Sequence, residues 1–489
     1  MNLKKTKVNF DISERKVLLW FFDLLAISTA AAFLGLLDFF TYYQTLIVPL
    51  YQWGYLLAVY SFFALVFECY DLHRSSRFDL ILANIILGVS WTVLVFLMTP
   101  KLTPFLPEYR IDILYFYLAL LFGIALWRLV YINLLIRPWF YKWVILVAKK
   151  KDLNQLAKDL MNSDPNYRII GFVEISQRKI TEVFQTGEDA DSTLLDSPKK
   201  GQSESSDLDR IPLIPLEDLQ GFIKQHEVKD LVVANHSRQS LSLPLYRALL
   251  DMSKQGLSIR DYNKEYEALN ARVPIQHVKK EFYRFFPYHR ANQNKLSLFF
   301  QRTLDLIISL VGLIIFMPLF MFIVALLNPI FNKGPLFYVQ KRIGQNNRAF
   351  TIYKFRTMSI DAEKTGPQYT TKDDTRVSGF GRLLRRMRID EFPQLLNIVK
   401  GDMNIIGPRP ERPEFVKGLS EKIPFYDVRH VIKPGLTGWA QVNHNYGTSH
   451  DDALIKLQYD LYYIKNRSLF LDLSIYIKTL TTVLFLRGQ

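Results

Sequence analysis

Asp390 and Glu391 are adjacent carboxylates that follow four arginines, Arg382, Arg385, Arg386 and Arg388, in the stretch GFGRLLRRMRIDEFPQLLNIVKGDMNIIG (379–407). Pro393 favours a first helical turn, so an apolar-periodic helix over 394–399 is expected to open just after the pair. A helix N-terminus flanked by guanidiniums attracts phosphate. A carboxylate held there is expected to keep a low pKa and stay ionised. It can act as a nucleophile on phosphorus, while its neighbour holds Mg²⁺ against phosphate oxygens. The same pattern suits a purely structural role, in which both acids cap the helix and pair with the arginines. Residue types alone leave both readings open.

Other basic elements could meet the same phosphate. Gly407-Pro408-Arg409-Pro410-Glu411-Arg412 presents Arg409 between two prolines. Such rigid presentation suits bidentate phosphate contact or, equally, a plain turn. Lys354 and Arg356 in Tyr-Lys-Phe-Arg-Thr-Met alternate with apolar residues and are expected to share one strand face. The segment Lys433-Pro434-Gly435-Leu436-Thr437-Gly438-Trp439 reads as a turn followed by an aromatic, with no function legible from physics.

These residues need a scaffold. The chain has 489 residues, a net charge of +15, 49% hydrophobic and 22% charged residues. Such a composition reads as membrane segments joined to soluble domains, with an anionic partner. Four apolar runs, 17–40, 51–69, 80–99 and 113–136, approach or exceed the roughly 20 residues of a spanning helix. Asp23, Asp38, Glu68 and Arg128 interrupt them and are expected to face a bundle interior or snorkel. Basic residues before the first run, between the second and third, and after the fourth place both ends of this bundle in the cytoplasm. Membrane spans argue against nucleic acid as the anionic partner. No removable signal peptide is evident at the N-terminus.

An alternation of strands (143–148, 168–174, 230–234) and helices (153–161, 243–254) predicts a parallel sheet. A polar stretch, 185–210, reads as a flexible insertion within it. The first strand runs into Ala148-Lys149-Lys150-Lys151-Asp152-Leu153, which has no glycine. A phosphate-binding G-x-G-x-x-G loop is therefore missing, and a scaffold or regulatory role is favoured over dinucleotide binding. The single cysteine, Cys69, excludes a disulfide framework and a cysteine-based zinc site. The eight histidines form no H-x-x-x-H pair. Asp189-Ala190-Asp191 and Asp207-Leu208-Asp209 mimic a D-x-D motif but lie in or beside the polar insertion.

A further apolar run, 306–331, carries Pro318, where a kink is expected. Its flanks are both basic: 272–302 holds seven Lys/Arg against Glu281 alone, and 331–356 holds six with no acid. Both flanks thus prefer the cytoplasmic face, which a re-entrant helix–break–helix satisfies and a straight fifth span does not. The last stretch, 469–486, could lie in the interface as an amphipathic helix.

The stretches YKFRTM, GRLLRRMRIDEFPQLLNIVKGDMNIIGPRPERPEF and KPGLTGWAQVN closely resemble the bacterial sugar transferase domain, the monotopic phosphoglycosyl transferases, over about 294–489. The whole chain is similar, more weakly, to the large WbaP-like members. The resemblance implies a multi-domain α plus α/β membrane protein: a four-helix transmembrane bundle (1–140), a Rossmann-like domain (141–270), and a mainly α catalytic domain (271–489) with a re-entrant helix at 303–331. It implies transfer of a sugar 1-phosphate from a UDP-sugar to undecaprenyl phosphate, initiating exopolysaccharide, capsule or O-antigen synthesis. Asp390 matches the nucleophile of a two-step route that releases UMP, and Glu391 matches the Mg²⁺-binding partner. Arg409 matches a phosphate-contacting motif. Lys354, Arg356 and Arg388 are the further expected phosphate contacts. Met317–Pro318 matches the break of the re-entrant helix, with methionine where serine is common, and Asp305 matches a position that anchors the hairpin. The implied setting is the bacterial inner membrane, with the catalytic domain on the cytoplasmic face and a homodimer as the expected assembly. Rival readings are a membrane-anchored nucleotide-sugar dehydratase, which needs a glycine fingerprint and a Tyr-x-x-x-Lys pair absent here, and a catalytically dead scaffold.

Overall fold

A computed structural model describes residues 12–35, 50–70, 77–104, 109–135, 141–164, 166–175, 211–234, 241–275, 295–332, 334–363, 374–444 and 449–484, with single positions between. The proposed insertion at 185–210 lies outside them. Two compact units divide the chain, with the boundary between Asn270 and Ala271. The protein is mostly helical, with apolar helices and a small parallel sheet.

The first unit opens with helices α1 (Ile12–Gly35), α2 (Leu50–Val66), α3 (Phe78–Met98) and α4 (Arg110–Leu135). Among the described residues, four helices are long and apolar enough to cross a membrane: Glu14–Gly35, Phe78–Met98, Arg110–Asn133 and Lys295–Phe331. The run at 51–69 forms only the 17-residue α2. Two of the charges that interrupt the runs are buried against each other. Asp23 Oδ2 accepts from Arg128 Nη2 (2.6 Å) and from the Tyr60 hydroxyl (3.0 Å). Arg128 reaches Ser75 Oγ (3.4 Å), whose hydroxyl donates to the Cys69 carbonyl (3.0 Å). An unpaired charge in an apolar bundle is costly, so each group persists through its partner.

Within the same unit, β1 (Lys142–Ala148), β2 (Tyr167–Glu174), β3 (Asp230–Val233) and β4 (Ser258–Asp261) form a parallel sheet in the order β2-β1-β3-β4. Val144 and Leu146 pack against α5 (Leu153–Met161) and α8 (Tyr262–Asn270). Ile145 and Val147 pack on the other side, against α6 (Leu219–His226) and α7 (Leu243–Lys254). With both faces covered, the central strand reads as an unbroken apolar run rather than an alternating one. The all-lysine turn after β1 becomes a short 3₁₀ segment, Lys150–Asp152.

The second unit opens with one long apolar helix in two halves. These are α9 (Lys295–Val311) and α10 (Met317–Phe331), joined by a π turn, Gly312–Phe316. The sequence points to a break at Met317–Pro318. The irregularity lies just before it, since Met317 keeps helical dihedrals (φ −61°, ψ −44°). Pro318 has no N–H for the Ile314 carbonyl and its ring crowds that turn, so the ladder loosens to a wider turn there. The wider turn also preserves a face. Gln301, Asp305, Ser309, Gly312, Met317, Val324 and Asn328 are all buried, and the five-residue step from Gly312 to Met317 keeps that stripe continuous. The other faces of both halves expose apolar residues such as Phe299, Ile307, Ile314, Phe322 and Leu326.

The remaining elements form the body on which that stripe rests. They are β5 (Phe337–Ile343) paired antiparallel with β6 (Ala349–Phe355), α11 (Gly379–Arg386), a 3₁₀ turn (Ile389–Gln394), α12 (Leu395–Lys400), and β7 (Asn404–Ile406) parallel to β8 (Gly435–Thr437). Helices α13 (Pro413–Lys422), α14 (Trp439–Asn443), α15 (His450–Asn466) and α16 (Leu469–Leu484) complete it. Arg302 on α9 donates to the Ile398 and Val399 carbonyls (2.6 and 2.9 Å) in the last turn of α12. Asp305, one turn on, accepts from the Ile405 amide through Oδ1 (3.3 Å). Removing Arg302 leaves those carbonyls without their cation. Arg302→Ala is expected to destabilise this unit by about 2 kcal/mol, read as a lower unfolding midpoint in detergent.

Candidate active site

The helix expected to open at Pro393 starts two residues later, at Leu395. The carboxylate pair instead occupies the 3₁₀ turn that leads into it. Arg388 precedes this turn in the left-handed region (φ 57°), a conformation a non-glycine residue holds only when its surroundings require it. The turn is wedged between β6 and the long apolar helix. Phe392 stacks edge-on to Phe320 of α10 at 4.6 Å (79° between rings) and meets Phe316. Ile389 joins Met317, Val324, Phe355 and Leu384 in one apolar cluster.

Glu391 is the hub. Its Oε1 accepts from Lys354 Nζ (3.0 Å) and Arg409 Nη2 (2.7 Å), and its Oε2 accepts from Arg388 Nη1 (3.2 Å). Asp390 is just as buried but has no hydrogen-bond partner among the described residues. It lines a cavity of about 430 Å³ together with Lys354, Arg356, Arg385, Arg388, Glu391 and Arg409. The structure thus brings the predicted site residues Asp390, Glu391, Lys354, Arg388 and Arg409 together. Arg356 lines the same cavity while its Nε donates to the Pro335 carbonyl (3.0 Å). Asp305, Met317 and Pro318 stand apart, on the long helix.

The two acids titrate oppositely. Burial, then the Glu391 charge beside it, push Asp390 up to about 6 against the pull of Lys354, Arg385 and Arg388. Burial also raises Glu391, but Arg409, Lys354 and Arg388 outweigh it and hold that carboxyl well below the usual range. The expectation of a low pKa therefore applies to Glu391 and not to Asp390. The arginines form their hydrogen bonds with Glu391, leaving Asp390 with desolvation and a like charge.

Sequence reasoning missed the residues that hold Arg409. Arg429 Nη2 donates to the Arg409 carbonyl (2.9 Å), pairs with Asp460 (2.8 Å), and reaches the Tyr426 hydroxyl through Nη1 (2.7 Å). Arg342 donates to the Pro410 carbonyl (3.1 Å), and Gln441 accepts from Arg409 Nη1 (3.2 Å). No local pattern marks these residues, which come from distant strands and helices. The glycine turn that physics left without a role also acts here. A Cβ on Gly435 would lie 2.0 Å from the Gly407 nitrogen, and one on Gly438 would lie 2.1 Å from the Gly407 oxygen. Glycines in KPGLTG let the two chains cross closely enough for the Gly407 amide to bond Thr437 O (2.9 Å) and the Gly435 amide to bond Pro408 O (2.9 Å).

A family model described as bacterial sugar transferase matches residues 296–486, which contain this whole site. The chain is 41% identical over 155 residues to an uncharacterized sugar transferase, EpsL, of Bacillus subtilis, and covers 73% of that protein. The chain belongs to the bacterial sugar transferase family. It is also 38% identical over 256 residues (52% of this chain) to a UDP-N-acetylgalactosamine-undecaprenyl-phosphate N-acetylgalactosaminephosphotransferase of Aeromonas hydrophila. Over 183 residues (37% of this chain) it is 40% identical to a UDP-glucose:undecaprenyl-phosphate glucose-1-phosphate transferase of Xanthomonas campestris pv. campestris. The chain spans 59% of the first of these relatives and 38% of the second. The cationic cavity around Asp390 lies wholly within the matched residues.

Proposed function

We propose that this sugar transferase moves a sugar 1-phosphate from a UDP-sugar to undecaprenyl phosphate through a phosphosugar on Asp390. The observation that carries the reading is the division of labour between the two acids: Glu391 is bound to three cations, and Asp390 faces the cavity without a hydrogen-bond partner. In the first step Asp390 Oδ attacks the phosphorus that bears the sugar. The bond from that phosphorus to the oxygen bridging the two phosphates breaks, and UMP leaves with the electron pair. In the second step a phosphate oxygen of the lipid attacks the same phosphorus. The bond to Asp390 breaks, the carboxylate is restored, and the product is a lipid-linked sugar diphosphate. Lys354, Arg388 and Arg409 keep Glu391 ionised and set positive charge where phosphate oxygens gain negative charge.

Mg²⁺ suits this donor set in its sparse form. Mg²⁺ commonly takes one or two carboxylates and leaves its other places to water and substrate phosphate. The described residues hold no cluster of three or more His, Cys, Asp or Glu groups, and Asp390–Glu391 is the carboxylate pair at the phosphate-binding cations. Glu391, with Asp390 beside it, would hold the ion, which would neutralise charge on the phosphates when bound.

The long helix supports a re-entrant, cytoplasmic-face arrangement. Its buried stripe runs from Gln301 to Asn328, and both ends bond polar backbone of the same body: Arg302 to α12, and Asn328 and Asn332 to Gly334 O (2.6 Å) and Arg356 O (2.9 Å). A straight span would carry its far half out of reach of any soluble domain. We read the bundle and the doubly covered sheet as a membrane anchor and a Rossmann-like scaffold for this body.

The test is UMP release. The purified chain in lipid nanoparticles with Mg²⁺, undecaprenyl phosphate and a panel of UDP-sugars is expected to release UMP with at least one donor. Silence across the panel contradicts the reading. The pH dependence has a definite sign. Asp390 must be ionised to attack, and its pKa is raised to about 6. At Mg²⁺ concentrations well below saturation, kcat/KM for the donor is therefore expected to climb as pH rises through about 6 and then level off, since this constant reports groups of the free enzyme, and saturating Mg²⁺ beside the pair is expected to move the limb to lower pH. A limb centred near 4, the ordinary carboxylate range, at low Mg²⁺ would contradict it.

A further inference from the structure

The cavity has two cationic sides, and they are built on different parts of the body. One side carries Arg385, whose charge acts on Asp390, and Arg356, which lines the same cavity. Arg385 donates from Nε to Thr357 Oγ1 (2.9 Å), and its terminal nitrogens make no hydrogen bond among the described residues. This side is fastened to the end of the membrane helix. Asn332 donates to the Arg356 carbonyl (2.9 Å) and bonds Ser378, and Phe331 meets Phe380 at 5.7 Å. Leu383 and Met387, flanking Arg385 in sequence, are exposed, as are Phe322, Leu326 and Phe331 on the helix. The other carries Arg409, bonded to Glu391, and Lys456, on which the Arg409 charge acts, with Arg412, Phe415 and His444 in the same lining. These rest on a different apolar cluster, Val416, Tyr426, Leu457 and Leu461, which includes no residue of α9 or α10.

Two anionic substrates must reach one phosphorus, and only one of them is confined to a bilayer. A lipid phosphate cannot leave the surface into which its chain is inserted, whereas a nucleoside diphosphate can approach from water. Resting on the proposed function, we infer that the cavity holds two separate anion subsites. Arg385 and Arg356, beside the membrane helix, take the phosphate of the lipid acceptor. Arg412 and Lys456, on the far side of Arg409, take the nucleotide phosphate of the soluble donor. The sugar-bearing phosphorus then lies over Asp390 between them, where each partner in turn can be in line with it.

A two-step transfer separates these sites kinetically, because kcat/KM for the donor reports the first step and kcat/KM for the acceptor reports the second. The experiment compares Arg385→Gln and Arg412→Gln in the full chain in lipid nanoparticles, with undecaprenyl phosphate and whichever UDP-sugar the wild type uses. Loss of one charge-assisted phosphate contact is expected to lower the matching constant about tenfold or more. Arg385→Gln is expected to do this to the acceptor constant and change the donor constant less than about threefold, and Arg412→Gln the reverse. Arg356→Gln and Lys456→Gln serve as second members of each pair if a first variant does not fold. Equal loss of both constants in each variant, or the opposite assignment, overturns the two subsites while leaving UMP release by the wild type intact. A wild type that releases no UMP overturns the underlying transfer reading instead.

Discussion

Asp390→Asn is expected to lower turnover by about 10⁴-fold or more, because the amide is nearly isosteric but cannot supply the attacking oxygen. The surroundings of Asp390 also make its charge costly to the fold. Its carboxyl is buried beside Glu391 and pushed up to about 6, so above that pH the folded state carries an ionised group it disfavours. The sign follows: a carboxyl raised in the folded state loses stability as pH climbs through its pKa. An uncharged asparagine removes that penalty and leaves the three bonds on Glu391 in place. The variant should therefore unfold at the same temperature as the wild type or higher at pH 7.5, while losing activity. A merely capping Asp390 predicts the opposite pair of results, with activity largely kept and stability reduced by about 1 kcal/mol. Steady-state UMP release and a thermal melt on one preparation separate the two.

Gly435→Ala is expected to be the most damaging single methyl in the second unit. The added Cβ would lie 2.0 Å from Gly407 N, 2.5 Å from Thr437 O and 2.6 Å from Gly407 Cα, all backbone. No side chain can rotate away, so the β7–β8 crossing must open. Overpacking against backbone is expected to exceed about 3 kcal/mol. The crossing also fixes Pro408 and thereby the start of the Arg409 loop, through the Gly435 amide. Folded protein recovered at low temperature should then be about 100-fold less active, as a displacement near 1 Å of a phosphate-binding group can cost that much. A wild-type melt for Gly435→Ala contradicts the close crossing.

The contrast between these two positions shows what a sequence makes legible. Asp390 and Glu391 stand out because four arginines and a proline surround them in one local stretch. The helices Leu153–Met161 and Leu243–Lys254 and the strand beginning near Trp143 are likewise local patterns, and the structure places them with the expected ends. Gly435 was visible as a turn residue, but its role depends on Gly407, which meets it only in the fold. Arg429 and Asp460 form the buried pair under Arg409 and come from a 3₁₀ segment and α15. No periodicity joins them. The short, polar β4 and α8 were missed because their stability comes from the sheet edge and from Tyr262 and Tyr266 packing beneath it, not from propensity. The separation of the two acids' titration was also illegible. It depends on which carboxylate the arginines touch, and spacing in sequence cannot report that.

The most direct measurement is intact-mass and peptide-mass analysis of the wild-type chain mixed with its UDP-sugar and Mg²⁺ in the absence of lipid acceptor. One added sugar phosphate per chain is expected, located on the peptide that contains Asp390, absent in Asp390→Asn, and discharged when undecaprenyl phosphate is added. Full-rate transfer to the lipid with no adduct at any time, or an adduct on another residue, would contradict it.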